Sequence, residues 1–360
     1  MKKLLLVLLL LPLFGTRAWA EDAFDIFDAP AMQQGLTAEE RAIGGELHPD
    51  GFDAASALAR LWQSAVQHFR ARFLAEFGFA AELLALVLLC GAARAACPTE
   101  KIAGLIEICS ASFAAARLLD GVNSLVEETV QALYRLSDYS KAALPVVYTA
   151  AAASGAPGSA AARYAASALA LDVILSLAQR AVIPLIYAVL SLTLANAVFP
   201  HPILGAVEGL TRWMAKTAMT VVSFAFTACL GICSVVSGSV DAAAVKAARS
   251  VIAGAVPVVG GMVADASAAV LSAAAVVRSC TGAFGLFAVC AMCLGPFAAL
   301  TVKNLLFKAV AVVAEAVQNP RLYKLFSGVG SAAALLMGLL GSTALMLFIA
   351  IAVGMKAVGV

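Results

Sequence analysis

Charged residues are scarce in this chain. Asp, Glu, Lys and Arg make up 13% of its 360 residues, whereas hydrophobic residues make up 62%. Soluble globular proteins carry about 25% charged residues and are close to half apolar. The composition therefore excludes an ordinary soluble protein and predicts an integral membrane protein. The net charge is only +2, and no basic patch with interleaved aromatic residues is present, so we expect no nucleic acid as a partner.

Motifs that mark common enzyme active sites are also absent. The chain contains no GxSxG, no HExxH and no GxxxxGK[ST]. The histidines His48, His68 and His201 do not accompany a nucleophile motif, and neither Asp172 nor Asp265 has the glycine neighbour of an intramembrane aspartyl pair. We therefore expect a protein that is not an enzyme, with no catalytic residues, no cofactor and no metal site.

The first 20 residues have the features of a signal peptide. Lys2 and Lys3 precede a short leucine-rich run, and Ala18 and Ala20 supply the small residues of a cleavage site. An uncleaved membrane helix is the alternative, but the run is shorter than the roughly 20 residues that a span requires. We predict a signal peptide over 1–20, which places the mature N-terminus on the extracytoplasmic side.

Residues 21–75 form a separate region with an acidic start. Nine acidic residues oppose four arginines across it, and a shortage of basic residues is typical of translocated segments. From Asp53, which is a suitable N-cap, apolar residues recur at helical spacing with arginines between them. The pattern predicts an extracytoplasmic region with an amphipathic helix. This helix either lies on the membrane surface or packs against the rest of the protein.

Residues 76–360 are predicted to form a polytopic membrane domain with about six to nine membrane segments. The first apolar run extends from Phe77 to Ala93. Abundant Ala, Gly and Ser residues let helices approach closely, within one chain or between copies. Residues 301–327 carry four basic residues against Glu315, which favours the cytoplasm and leaves the C-terminus outside, although Lys356 opposes this orientation.

One apolar stretch is interrupted. Pro257 removes a backbone donor, and paired glycines let the chain reverse shortly after it. Within a membrane such a break persists only where protein or water covers the freed backbone groups. The predicted fold is therefore an all-α polytopic bundle with a broken or re-entrant helix over 246–278. Its predicted functional motif comprises Lys246, Arg249, Pro257, Gly260, Gly261, Asp265 and Arg278.

Charged residues inside apolar stretches are costly and are therefore functional candidates. Besides those of the motif, they are Glu82, Glu107, Asp172 and Arg180. They either pair within the bundle or line a polar path or a docking surface. The pairings we predict are Asp172 with Arg180, and Asp265 with Arg249 or Arg278.

The segment from Lys246 to Asp265 resembles the signature of the stage III sporulation protein AE family of endospore-forming bacteria. The similarity covers nearly the whole chain and is strongest over 240–300. Further matching segments are Ala143-Leu-Pro145, Ile183-Pro184, Val277-Arg278, Thr281-Gly-Ala-Phe-Gly285, Gly295-Pro296 and Asn319-Pro-Arg321.

The resemblance implies a non-enzymatic subunit of a channel or secretion-like complex that links mother cell and forespore. The expected location is the mother-cell membrane around the forespore. The expected partners are other stage III sporulation membrane and ring-forming proteins, the lipid bilayer and further copies of the chain. The residues themselves leave an alternative open, because apolar segments interrupted at Pro145, Pro184 and Pro257 also fit a stand-alone secondary transporter with discontinuous helices.

Overall fold

In a computed structural model of the chain, residues 29–45, 52–97, 99–154, 157–255 and 260–355 are described. Only the backbone is described for residues 29–31, 120, 157, 159, 229–255 and 260–273. These residues are almost entirely helical, and no strand occurs among them. The all-α prediction is therefore confirmed. The predicted signal peptide over 1–20 lies outside the described residues.

The described helices differ greatly in length, from one or two turns at the N-terminus to more than fifty residues in the body. The helices are α1 (Ala29–Gln34), α2 (Ala38–Gly44), α3 (Ala54–Ala95), α4 (Glu100–Ala153), α5 (Pro157–Leu177), α6 (Ile183–Val198), α7 (Pro202–Ala255), α8 (Gly260–Ala316) and α9 (Pro320–Met355). A π-helical turn, Ala178–Val182, joins α5 to α6.

Among the described residues, five helical stretches are long and apolar enough to cross a membrane, which supports the predicted polytopic architecture. They are Ala54–Ala95, Glu100–Ala153, Ala160–Val198, Ala274–Ala316 and Pro320–Met355. At about 1.5 Å per residue, α4 alone is roughly 80 Å long, more than twice the thickness of a bilayer core of about 30 Å. The helices therefore extend beyond the hydrocarbon. The total of six to nine segments stays a prediction.

The amphipathic helix predicted from Asp53 and the apolar run from Phe77 belong to one helix, α3. No proline interrupts the sequence between them, so nothing ends the helix at residue 75. Asp53 is its N-cap, as predicted, and its Oδ1 accepts hydrogen bonds from the backbone N–H groups of Ala55 (3.1 Å) and Ser56 (3.2 Å). The bond from Ser56 is the main cause that lowers the pKa of the Asp53 carboxyl.

The long helices run along one bundle in alternating directions. Glu82 of α3 pairs with Arg117 of α4, whereas Arg72 pairs with Glu128, so α3 and α4 are antiparallel. α8 and α9 form a second antiparallel hairpin in the centre, where α9 is buried along most of its length. We call the two ends of the bundle the Arg321 end (residues 94–97, 99–107, 198–202 and 316–321) and the Arg278 end (residues 153–154, 278–282 and 355).

The short helices α1 and α2 pack against the body near α4 and α8. Met32 and Leu36 are buried, with exposed fractions of 0% and 3%. The Glu40 carboxylate lies 2.5 Å from the Arg135 guanidinium of α4. Glu40 also completes a capping box with Thr37 at the start of α2. This N-terminal segment is thus anchored both by apolar burial and by an ion pair.

Candidate functional site

The predicted functional motif lies mostly outside the described side chains. α7 ends at Ala255 and α8 begins at Gly260, on either side of the predicted interruption. Pro257 lies outside the described residues. Only the backbone is described for five other motif residues: Lys246, Arg249, Gly260, Gly261 and Asp265. Their role as a site, and the pairings predicted for Asp265, stay predictions.

Arg278 is the one motif residue whose side chain is described. Although charged, it is only 8% exposed. Its Nη1 donates a hydrogen bond of 2.6 Å to the Ser154 Oγ, while its Nε has no partner among the described residues. Ser154 is the C-cap of α4, where the helix dipole favours a cation. Arg278 therefore ties α8 to the C-terminus of α4 at the Arg278 end.

Glu107, predicted as an embedded charge, is the centre of a polar cluster at the opposite end. Its Oε1 lies 2.7 Å from the Nη1 of Arg94, and its Oε2 lies 3.5 Å from the Nε of Arg321. Arg94 also donates to the carbonyl of Gln318, and Arg321 donates to the carbonyl of Val198 at 2.8 Å. One carboxylate and two guanidinium groups thus connect the ends of α3, α4, α6 and α9 with the α8–α9 corner.

The α8–α9 corner explains why Asn, Pro and Arg occur together there. Gln318 has a left-handed φ of 56°, and its N–H bonds to the Glu315 carbonyl while that of Asn319 bonds to the Ala314 carbonyl. These two bonds form a Schellman motif that ends α8. The Asn319 Oδ1 then accepts from the N–H of Leu322 at 3.2 Å and caps α9. Pro320 opens α9, and the corner thereby brings Arg321 to Glu107.

Glu82 and Arg117, on the outer surface of the α3–α4 hairpin, form a bidentate pair. The Nε and Nη2 of Arg117 donate to the two carboxylate oxygens of Glu82 at 2.9 and 2.7 Å. This two-point geometry fixes the relative position of the helices better than a single contact does. Glu82 was predicted as an embedded charge, and its partner lies in the neighbouring apolar run.

Lys303 forms a buried contact that sequence reasoning missed. It counts toward the positive charge of 301–327, yet it lies within α8 and is only 6% exposed. Its Nζ lies 3.4 Å from the Glu76 Oε1 of α3 and 3.1 Å from the Ser124 Oγ of α4. These partners are far apart in the sequence, so no spacing rule could have joined them. A lysine next to an apolar run was the available signal.

Asp172 and Arg180 are not brought together. Both side chains are exposed, and no ion pair between them occurs in the part of the chain that the structure describes. They lie on the same apolar stretch, Ala160–Val198, about two helical turns apart, with Arg180 inside the π-helical turn. These two charges are therefore presented outward, whereas Arg163 of the same stretch is buried.

Several of the described charged side chains hold helices together. Within the described residues, no His, Cys, Asp and Glu side chains form a group of three or more that could hold a metal ion. The shared property of Arg278, Glu107 and Lys303 is that each joins helices distant in sequence.

The family model of stage III sporulation protein AE matches residues 53–358. The chain belongs to the stage III sporulation protein AE family. This membership confirms the resemblance seen in the sequence. No curated protein and no solved structure matches the chain.

The match to stage III sporulation protein AE begins at the N-cap of α3 and includes every helix from α3 to α9. It contains the Arg94, Glu107 and Arg321 cluster, Lys303 and all seven residues of the predicted motif. The segment with α1 and α2 precedes the match, although Glu40 binds Arg135 inside it. The common body of the family in this chain is thus the long-helix bundle, to which the N-terminal segment is attached.

Proposed function

We propose that this chain is a non-enzymatic membrane subunit of a trans-envelope channel or secretion-like complex between mother cell and forespore. The family match over residues 53–358 carries this proposal. The helical bundle supports it, because five stretches of the described residues are suited to a membrane. Arg278, Glu107 and Lys303 each connect helices that are distant in sequence. This arrangement suits a rigid membrane scaffold or the wall of a conduit.

The proposed location is the mother-cell membrane around the forespore, with the mature N-terminus extracytoplasmic. The bundle supports one consistent orientation. Phe52, just before α3, packs against Phe287 with ring centroids 5.3 Å apart and the rings tilted by 48°, and the Met355 side chain lies against Gly282 near the C-terminus of α9. The body therefore starts and ends near the Arg278 end. This end would be extracytoplasmic, and the Arg321 end would be cytoplasmic.

Two of the four cations in residues 301–327 are neutralised by carboxylates, which weakens the charge argument for a cytoplasmic Arg321 end. Lys303 and Arg321 are paired with Glu76 and Glu107, so they add little to the surface charge of 301–327. Exposed Lys308 and Lys324 remain there. Cysteine accessibility tests the orientation in a bacterial host that forms no spores, where the chain lies in the cell membrane, after the native cysteines, among them exposed Cys109 and Cys290, are replaced by serine. A cysteine in place of Lys324 is expected to resist an impermeant thiol reagent, and labelling from outside would contradict it.

Deletion of the coding sequence in the spore-forming host tests the function directly. Mother cells should still engulf the forespore, but forespores should shrink and heat-resistant spores should fall by orders of magnitude. Normal forespore size and normal spore yield would reject the proposal. Co-purification of the tagged full chain from sporulating cells provides a second measure, since a complex subunit should bring other stage III sporulation membrane and ring-forming proteins with it.

A stand-alone secondary transporter is the second candidate. It is favoured by irregular helices, because Pro145 and Pro296 lie inside α4 and α8 and a π-helical turn precedes Pro184. Such interruptions are frequent where transporters bind solute. Reconstitution of the purified chain in liposomes separates the two candidates. Saturable, ion-coupled uptake by the chain alone would favour the transporter, whereas a subunit should give none without its partners.

A further inference from the structure

The outward face of α5 and of the π-helical turn after it carries a carboxylate, Asp172, and a guanidinium, Arg180. Exposing either charged group to lipid would be costly. Asp172 and Arg180 are exposed on the stretch Ala160–Val198 and make no ion pair or hydrogen bond with a described residue. Leu169 and Val173 beside them are 69% and 64% exposed. Charged groups within membrane segments usually face protein or water rather than lipid. We therefore expect another protein surface to pack on this face and to provide charges opposite to those of Asp172 and Arg180.

The neighbouring helix α4 presents the complementary charges on its own outward face. Lys141 and Glu127 are exposed there. Lys141 lies 3.2 Å from Asp138 one turn away, but both side chains are more than two-thirds exposed. Such an exposed pair contributes little free energy, so Lys141 remains available to a second carboxylate. Lys141 of α4 and Asp172 of α5 are therefore exposed opposite charges on adjacent helices.

The charges also match in depth. The Tyr148 hydroxyl of α4 and the Ser167 hydroxyl of α5 are 2.9 Å apart, which places these residues at one level of an antiparallel hairpin. At about 1.5 Å per residue, Asp172 and Lys141 then differ in depth by only about 3 Å. By the same count Arg180 and Glu127 differ in depth by about 12 Å, too far for a direct ion pair, so the match is that of Asp172 with Lys141. All copies of a membrane protein share one orientation, so equal depth is what a contact between copies requires.

We propose that the α4–α5 hairpin is a self-association surface at which two copies of this chain pack around a two-fold axis along the membrane normal. In a two-fold interface each contact occurs twice. Asp172 of each copy meets Lys141 of the other. Since α4 and α5 are adjacent in the bundle, one axis between them satisfies both helices at once. The small residues Ala161 and Ala165 on the exposed face of α5 allow the close approach.

Charge reversal in the full-length chain tests this interface. Two differently tagged copies are co-expressed, solubilised in mild detergent, and the share of one tag recovered with the other is measured. Asp172→Lys in both copies places ammonium groups opposite each other, as Lys141→Asp places carboxylates. Each variant alone is expected to lower the recovered share at least about tenfold, which corresponds to about 1.4 kcal/mol.

The decisive arm mixes the two variants. A copy with Asp172→Lys and a copy with Lys141→Asp regain both opposite-charge contacts, so their mixed pair should be recovered at near the wild-type level. This rescue also shows that each variant is folded. Lys324→Asp, an exposed reversal on α9, is the matched control and should change nothing.

The proposal is overturned by any of three results. The first is that wild-type copies fail to recover each other, and the second is that either single variant associates as well as wild type. The third is that the mixed pair remains apart although both variants accumulate in the membrane. A different membrane protein on this face would give the last result, because its charges would not change with those of the chain.

Discussion

The Nζ of Lys303 lies 3.4 Å from the Oε1 of Glu76, and this pair joins α8 to α3 at a position where Lys303 is almost fully buried. A buried cation is stable only with a partner, and removing one member of such a pair leaves the other charge uncompensated. The pair therefore restricts how α3 can be placed on the central hairpin.

Glu76→Ala is expected to destabilise the solubilised protein by about 3 kcal/mol, because it leaves the Lys303 ammonium with only the Ser124 hydroxyl. Replacing both charges, as in Glu76→Leu with Lys303→Met, should cost clearly less, since no unpaired charge is buried. Thermal unfolding in detergent measures both. Equal losses in the single and double variants would show that the pair is not what the stability depends on.

Arg321→Lys should weaken the Arg321 end although it keeps the positive charge. The guanidinium reaches both the Val198 carbonyl and Glu107, and an ammonium cannot reproduce this planar, two-directional contact. We expect a loss of about 1–3 kcal/mol of unfolding free energy. Lys324→Arg, on the exposed side of the same helix, is the control. An unchanged melting temperature for Arg321→Lys would contradict the role of the cluster.

Gln318→Gly should stabilise the α8–α9 corner. Gln318 holds a φ of 56°, which glycine adopts without the steric cost that a Cβ imposes. The expected gain is about 0.5–1 kcal/mol, visible as a higher melting temperature. Gln318→Val should move it in the opposite direction. If glycine lowered the melting temperature, the left-handed cap would not be the controlling feature.

Gly91→Ala should disturb the contact between α3 and the α8–α9 corner. A Cβ at Gly91 would lie 1.6 Å from the Val317 Cγ1, whereas a Cβ at Gly78 on the same helix meets nothing within 4 Å. We expect Gly91→Ala to cost about 1–3 kcal/mol by overpacking and Gly78→Ala to gain up to about 1 kcal/mol. Adding Val317→Ala should restore much of the loss, and its failure to do so would locate the damage elsewhere.

Asp265→Ala and Pro257→Leu test the predicted broken-helix motif. If the motif acts in the complex, each change should block spore formation while the protein still accumulates in the membrane. Spore counts and membrane immunoblots measure the two effects separately. Loss of the protein itself would instead favour a role in packing alone, and normal spore yield would remove the motif from consideration.

Several features followed from local sequence. Asp53 could be predicted as an N-cap because a cap and its helix are neighbours in the chain, and its bonds to Ala55 and Ser56 confirm it. Glu82 and Glu107 could be singled out because a carboxylate in an apolar run must find compensation. Their partners could not be assigned, because no helical spacing rule relates Glu107 to Arg321 across 214 residues.

The predicted pair of Asp172 and Arg180 does not form, which shows what local sequence could not predict. A separation of eight residues is about 12 Å along a regular helix, beyond the three- or four-residue spacing at which side chains pair. The π-helical turn Ala178–Val182 shifts that register, and both side chains are exposed rather than paired. Local irregularity of this kind depends on how the helix packs, which sequence periodicity does not report.

The sequence by itself determined that this chain is an all-helical membrane protein of the stage III sporulation protein AE family, because apolar composition and local motifs act over short distances. Only the tertiary structure decided which charges compensate one another. Arg321 meets Glu107, and Lys303 meets Glu76, because antiparallel packing brings distant helices to a common level. Because burying an unpaired charge is costly, each buried charge needs a partner, and the packing of the bundle determines which residue is that partner.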